Sequence, residues 1–143
     1  MDKPRPYVTA ALICEKLLRE KDETLTLVRV ADRLQYSLQG FPAETKPMIQ
    51  MNGLLSLKSG SVTGDHMIKL VSVKPNGQRW DAHSQSVNLL GNDHGVNIIM
   101  NINLGVDQDG LYWFDVLFDD EILTRIPLMI TQIQAPQQAV QAG

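Results

Sequence analysis

The sequence predicts an all-β protein, an immunoglobulin-like antiparallel β-sandwich of roughly eight strands, in a single domain over residues 1–133. Three observations carry that expectation. Val96 to Leu104 alternates without a break, with Val96, Ile98, Met100, Ile102 and Leu104 on one side and Asn97, Ile99, Asn101 and Asn103 on the other. Leu111 to Phe118 alternates as cleanly, with Tyr112, Phe114, Val116 and Phe118 on one face and Leu111, Trp113, Asp115 and Leu117 on the other. Similar short apolar runs recur between turn signals, and no long helical period is secure, which is the pattern of two sheets packed face to face.

In chain order, Tyr7 to Leu18 supports two readings. Leu12, Ile13, Leu17 and Leu18 have spacings a helix would use, yet a strand through Tyr7–Cys14 followed by a charged turn fits equally. Thr24 to Leu34 is β-rich, and its apolar residues change phase between Leu25/Leu27 and Val28/Val30, as a bulge would cause. Gln39 to Pro47 is a loop by its breakers, Gly40, Pro42 and Pro47. Met48 to Leu57 alternates, placing Ile49, Met51, Gly53, Leu55 and Leu57 together. Lys58 to Asp65 reads as an exposed Gly/Ser-rich loop, Met67 to Val73 as a strand, and Pro75-Asn76-Gly77 as a turn. Trp80 falls in a loop on this reading, and Val87 to Leu90 forms a short strand. Gly91 to Gly95 and Val106 to Gly110 are turns on either side of the Val96–Leu104 strand. Residues 134–143, from Gln134 to Gly143, are polar and low in complexity, which predicts a disordered tail.

Asp119-Asp120-Glu121 separates the last two strands. A three-residue loop or a bulge would keep the apolar sets continuous, placing Phe118 opposite Ile122 and Phe114 opposite Ile126. Pro127 cannot donate to a ladder, so its strand is expected at an edge or interrupted there.

Composition narrows the function. The 143 residues carry 13 basic and 16 acidic side chains, net charge −3, with no basic block, which argues against a nucleic-acid binder. The N-terminal segment reads as neither a signal peptide nor a membrane span, so no membrane partner and a cytoplasmic location are expected. Cys14 alone can form no internal disulfide and no zinc site, and is expected as a buried, inert thiol.

YVTAALICEKLLREKDETLTLVRVADRL resembles the opening of an uncharacterised bacterial domain family, with an apolar strand ending in a cysteine and an acidic residue, a polar turn and a second strand. GLYWFDVLFDDEILTRIPLMI resembles that family's closing hairpin and the end strands of many immunoglobulin-like modules, with Asp119-Asp120 where such hairpins carry Asp-Gly. The resemblance covers about a third of the chain. It implies a small cytoplasmic antiparallel sandwich with no established activity and no catalytic residues to carry over.

Three constellations remain. Leu111, Trp113, Leu117 and Leu123 make the second face of the closing hairpin too apolar for water, so either a second sheet, a loop or the tail covers it, or it is an interface for a protein partner or self-association. Asn97, Asn101 and Asn103, with Asn88 nearby, make a polar uncharged face that suits a carbohydrate or another small ligand, or only water. His66, His94 and Asp93 are placed in loops that would share one end with Asp119-Asp120, a weak candidate for a divalent metal or a metal-dependent hydrolase, with His83 at the other end. Arg29, Asp32 and Arg33 are candidates for ion pairs across the first hairpin or with Asp115 and Arg125. The expectation is a non-enzymatic binding or assembly module with no cofactor.

Overall fold

The computed structural model describes residues 4–133, so the tail expected at 134–143 lies outside the described residues. Nine strands form two sheets: β1 (Tyr7–Arg19), β2 (Leu25–Val30), β3 (Arg33–Tyr36), β4 (Met48–Lys58), β5 (Thr63–Val73), β6 (Arg79–Leu90), β7 (Gly95–Gly105), β8 (Gly110–Phe118) and β9 (Glu121–Gln132). One sheet has the order β2-β1-β4-β7, the other β3-β9-β8-β5-β6. The fold is an immunoglobulin-like all-β sandwich. Every pairing is antiparallel except β3 with β9, which run parallel.

The core follows from the period-two faces. Met51, Leu55, Leu57, Ile98, Met100, Ile102 and Leu104 project inward from one sheet and meet Ile68, Leu70, Tyr112, Phe114, Val116, Leu128 and Ile130 from the other. Gly53 lies opposite Met100 where β4 pairs with β7. A Cβ there would lie 2.9 Å from Met100 Cε and 3.4 Å from Ile102 Cδ1. The buried Tyr112 hydroxyl donates to the Gln108 carbonyl four residues upstream at 2.7 Å. That is the geometry of the tyrosine corner found in immunoglobulin-like sandwiches.

Several expectations change in detail. Tyr7 to Leu18 is strand throughout. β2 pairs with β1 in constant register, and the phase change at Val28 coincides with a positive φ of 58° at Arg29 instead of a bulge. The ninth strand is β3, four residues whose alternation is too short to detect. Ser59 and Val62 are buried, so the Lys58–Asp65 segment is not a fully exposed loop. Trp80 and His83 lie in β6, and His66 lies in β5, not in loops. β6 is an edge strand whose outward residues are polar apart from the exposed Leu90 at its end, so only Trp80, Ala82, Val87 and Leu89 reveal its inner side.

The β8–β9 turn is two residues, not three. Asp119 and Asp120 both take positive φ, 46° and 69°, as the tightest hairpin turns require. Phe118 therefore faces Glu121 and Leu117 faces Ile122. A bulge at Val116/Leu117 then restores Phe114 opposite Ile126. Pro127 lies on an open margin of β9, since the β3 register begins only at Met129.

Candidate functional site

The outer face of the five-stranded sheet is built around a buried carboxylate. On β8 the even positions point into the core, so Leu111, Trp113, Asp115 and Leu117 point away from it. Register places Asp115 between Val71 on β5 and Arg125 on β9, and Trp113 between Val73 and Pro127. The Asp115 side chain is only 2% exposed although it faces outward. Arg125 Nε donates to its Oδ1 at 2.7 Å, and an Arg79 guanidinium nitrogen lies 3.4 Å from its Oδ2. The Arg125 guanidinium also lies over the Trp113 ring, 4.4 Å from the centroid.

An isolated buried carboxylate would be costly, and here two guanidiniums lid it. Both stay roughly half exposed, so part of their donor set faces solvent. The result is a platform with Trp113 at the centre, two arginines anchored by one aspartate, and an apolar border. Trp and Arg together are the residues most enriched where binding energy concentrates.

The border differs from the expected set in one member. The two-residue turn and the bulge exchange the faces of the next pair: Leu123 packs against the core and Ile122 comes out beside Leu117, 48% exposed. Leu111 is 36% exposed, and Trp113 and Leu117 are half-buried. The aspartate–arginine cluster was legible only in part. Asp115 stands out as a lone carboxylate among Trp113, Phe114, Val116 and Leu117, but nothing local identifies Arg79 as its second partner. Arg29 forms an ion pair across the first hairpin, as one of the two expectations had it, with Glu15 at 3.2 Å.

The asparagine positions lie on the outer face of the other sheet and are largely engaged across strands. Asn52 donates to Asn101 Oδ1 at 2.9 Å, Ser56 bonds to Asn97, and Asn52 Oδ1 accepts the Leu17 amide at 3.2 Å. Asn103 is exposed beside Gln50 in a shallow groove of about 590 Å³ that Glu15, Lys16 and Asn52 also line. Asn88 is not nearby; it lies on β6 in the opposite sheet, donating to Asp65 at 2.8 Å.

At one end of the sandwich His66 and the Asp119 turn do come together, as expected. His66 Nδ1 lies 2.6 Å from Asp119 Oδ2 and Nε2 lies 2.8 Å from the Thr63 carbonyl. A carbonyl and a carboxylate both accept, so these two partners favour the ring with a proton on each nitrogen. The Asp119 hydrogen bond accordingly holds the His66 pKa above its ordinary value. Both ring nitrogens are engaged by these partners, so neither is presented to a metal. Asp93 accepts from the Tyr7 hydroxyl at 2.7 Å, His94 Nδ1 contacts the Gly91 carbonyl at 2.9 Å, and among the described residues no group of three or more candidate ligands could hold a metal. His83 sits mid-strand, opposite Leu70. Cys14 is fully buried, and desolvation raises its thiol pKa.

These features define an immunoglobulin-like sandwich whose outer five-stranded face carries the Trp113, Asp115, Arg79 and Arg125 cluster. The chain belongs to a family of unknown function, DUF6941, whose model matches residues 9–131. No curated protein matches it in sequence. Among solved structures it is similar to the Pseudomonas fluorescens alkylpurine DNA glycosylase AlkC, solved bound to DNA containing an abasic-site analogue. The TM-score is 0.53 at 10% identity, over 90% of this chain and 31% of that one. It is similar to a β-glucosidase from Listeria innocua at TM-score 0.51 and 9% identity, over 71% of this chain and 15% of that one. An immunoglobulin-like protein from Pseudomonas aeruginosa, PA1606, aligns at TM-score 0.44 and 13% identity over 88% and 96% of the two chains. This chain thus spans less than a third of the glycosylase and a smaller part of the glucosidase, and the likeness is one of fold. Among the described residues no helix is long and apolar enough to cross a membrane.

Proposed function

We propose that this protein is a non-enzymatic binding or assembly module that docks a protein partner on the outer face of its five-stranded sheet. The observation that carries this reading is the Trp113 platform: a half-buried indole under Arg125, with Arg79 and Arg125 both fixed by the buried Asp115. Fixing a guanidinium before association removes part of the ordering cost of binding. Its outward donors then suit a carboxylate in bidentate geometry. The partner is therefore a protein surface with an apolar centre, to cover Trp113, Leu111 and Ile122, and acidic residues opposite the two arginines.

The glycosylase and glucosidase likenesses lend no catalytic reading, because no paired catalytic carboxylates or nucleophile–base pair stand on this platform. The acidic balance of the chain, 16 against 13, also gives no support to DNA binding.

The test compares crosslinked capture from the native host for the wild type and for Trp113→Glu, read by mass spectrometry, with circular dichroism as the folding control. Loss of a stoichiometric, acidic-surfaced partner from a folded Trp113→Glu protein is the expected outcome. Capture that is unchanged by the substitution, or no stoichiometric partner for the wild type, overturns the proposal.

A further inference from the structure

Among the described residues, the open margins of β2, β3, β6 and β9 each carry a device that discourages strand addition. β2 is six residues long, with Arg29 at positive φ, and β3 is only four. The open part of β9 holds Glu121, Arg125 and Pro127. β6 carries Arg79 and Asp81 and is bulged where β5 reaches Leu70/Val71. β7 has none of these. It runs eleven residues, pairs with β4 without a register shift, ends the four-stranded sheet, and contains neither charge nor proline.

The direction of its backbone groups follows from its flanks. The Ser59 N–H donates to the His94 carbonyl at 2.9 Å, and the Val106 N–H to the Pro47 carbonyl at 2.9 Å, so even-numbered positions bond toward β4. In an antiparallel ladder, alternate residues bond to opposite sides. Gly95, Asn97, Ile99, Asn101, Asn103 and Gly105 therefore aim both N–H and C=O at the open margin.

The sequence of this margin is nearly a palindrome about Met100. Val96 matches Leu104, Asn97 matches Asn103, and Ile98 matches Ile102; only Ile99 and Asn101 differ in kind. We infer that β7 pairs with β7 of a second copy of this chain, antiparallel and in register about Met100, joining the two four-stranded sheets across a two-fold axis.

In that register every odd position meets an odd position, so the open donors and acceptors satisfy one another. The amides of Asn97 and Asn103 face each other twice on the outer side, repeating the amide contact that Asn52 and Asn101 already make within the chain. Val96, Ile98, Met100, Ile102 and Leu104 meet only apolar residues on the inner side. A two-residue slip one way sets Asn97 against Gly105 and Ile99 against Asn103 and leaves only Asn101 against its copy; the slip the other way keeps amide pairs between Asn97 and Asn101 but sets Asn103 against Gly95 and leaves Leu104 and Gly105 outside the ladder. A one-residue slip breaks the face match and the hydrogen bonding together. An unrelated extended peptide would gain the ladder but not this two-fold match, so the occupant is a second copy.

The test is light scattering across protein concentration together with residue-resolved amide hydrogen exchange. The wild type is expected to be a dimer, with the amides of Asn97, Ile99, Asn101 and Asn103 exchanging slowly although they lie on a sheet margin. Asn103→Pro removes an outward donor that the β4 ladder does not use, and should weaken the dimer by about tenfold or more. Trp113→Glu should leave the dimer intact, which separates this contact from the platform on the other sheet. A wild-type monomer with fast exchange at those four amides overturns the inference. So does a dimer that survives in folded Asn103→Pro protein, or one that Trp113→Glu dissolves. Should Asn103→Pro fail to fold, the wild-type exchange pattern decides: fast exchange at those amides refutes the pairing.

Discussion

Removing Arg125 should destabilise the protein more than removing the aspartate it covers. Arg125→Met takes away the 2.7 Å charge-assisted bond and leaves Asp115 buried with only the 3.4 Å contact to Arg79. Breaking a buried ion pair from one side costs about 3–5 kcal/mol. Because Arg79 can close toward the carboxylate, the low end, about 3 kcal/mol, is expected here. Asp115→Asn instead leaves two half-exposed guanidiniums that can turn to water, so it loses little beyond the charged bond, about 1.5–2 kcal/mol. Replacing both, Asp115→Leu with Arg125→Met, removes the buried charge altogether and should cost less than Arg125→Met alone. Urea unfolding followed by tryptophan fluorescence measures all of these. At an m-value of about 2 kcal/mol/M, Arg125→Met should move the midpoint by about 1.5 M. A cost below about 0.5 kcal/mol for Arg125→Met, or additive effects in the double mutant, would refute the idea that the carboxylate is held by its lid.

Three further outcomes follow from the fold. Because Asp119 raises the pKa of His66 above its unfolded value of 6.5, the folded state binds more protons in that window. Its stabilisation is full below the unfolded pKa and is lost as pH rises through the folded one; His66→Gln should flatten this fall in unfolding free energy as pH rises above His66's unfolded pKa. At the hairpin, Asp120→Gly should stabilise by a few tenths to about 1 kcal/mol by relieving a positive φ of 69°. Asp119→Gly should destabilise, because the Asp119 carboxylate holds both the His66 ring and the Met67 amide; thermal melts check both signs. Gly53→Ala should cost less than about 1 kcal/mol, because the atom it meets, Met100 Cε at 2.9 Å, is the free end of a flexible side chain that can turn aside; a loss of more than about 2 kcal/mol in a thermal melt would contradict this.

Most of the fold was legible because period-two alternation depends on burial alone. Val96–Leu104 and Leu111–Phe118 stand in the structure as their patterns predict, one at the margin of the four-stranded sheet and the other inside the five-stranded one. The pattern fails where strands are short or polar on both margins: β3 has four residues, and β6 hides Trp80 among Arg79, Asp81, His83 and Ser84. Turn length was misread because two consecutive aspartates at positive φ are uncommon, and Glu121 extended the charged run. That single misreading moved Leu123 from the contact face to the core and brought Ile122 out. The apolar character of the Trp113 face was visible in the sequence. The Arg79–Asp115 contact was not, because it joins β6 to β8 across β5, and no local pattern encodes a contact of that separation.

The central claim is that the Trp113 platform is a protein docking face. The most direct measurement places a photo-crosslinking side chain at Leu111, on the border of the platform, or at Glu15, on the outer face of the other sheet, and irradiates each protein in its native host. The account predicts a discrete, stoichiometric adduct with a second protein from position 111 and none from position 15. Equal labelling from both positions, or no adduct from position 111 in folded protein, would contradict it.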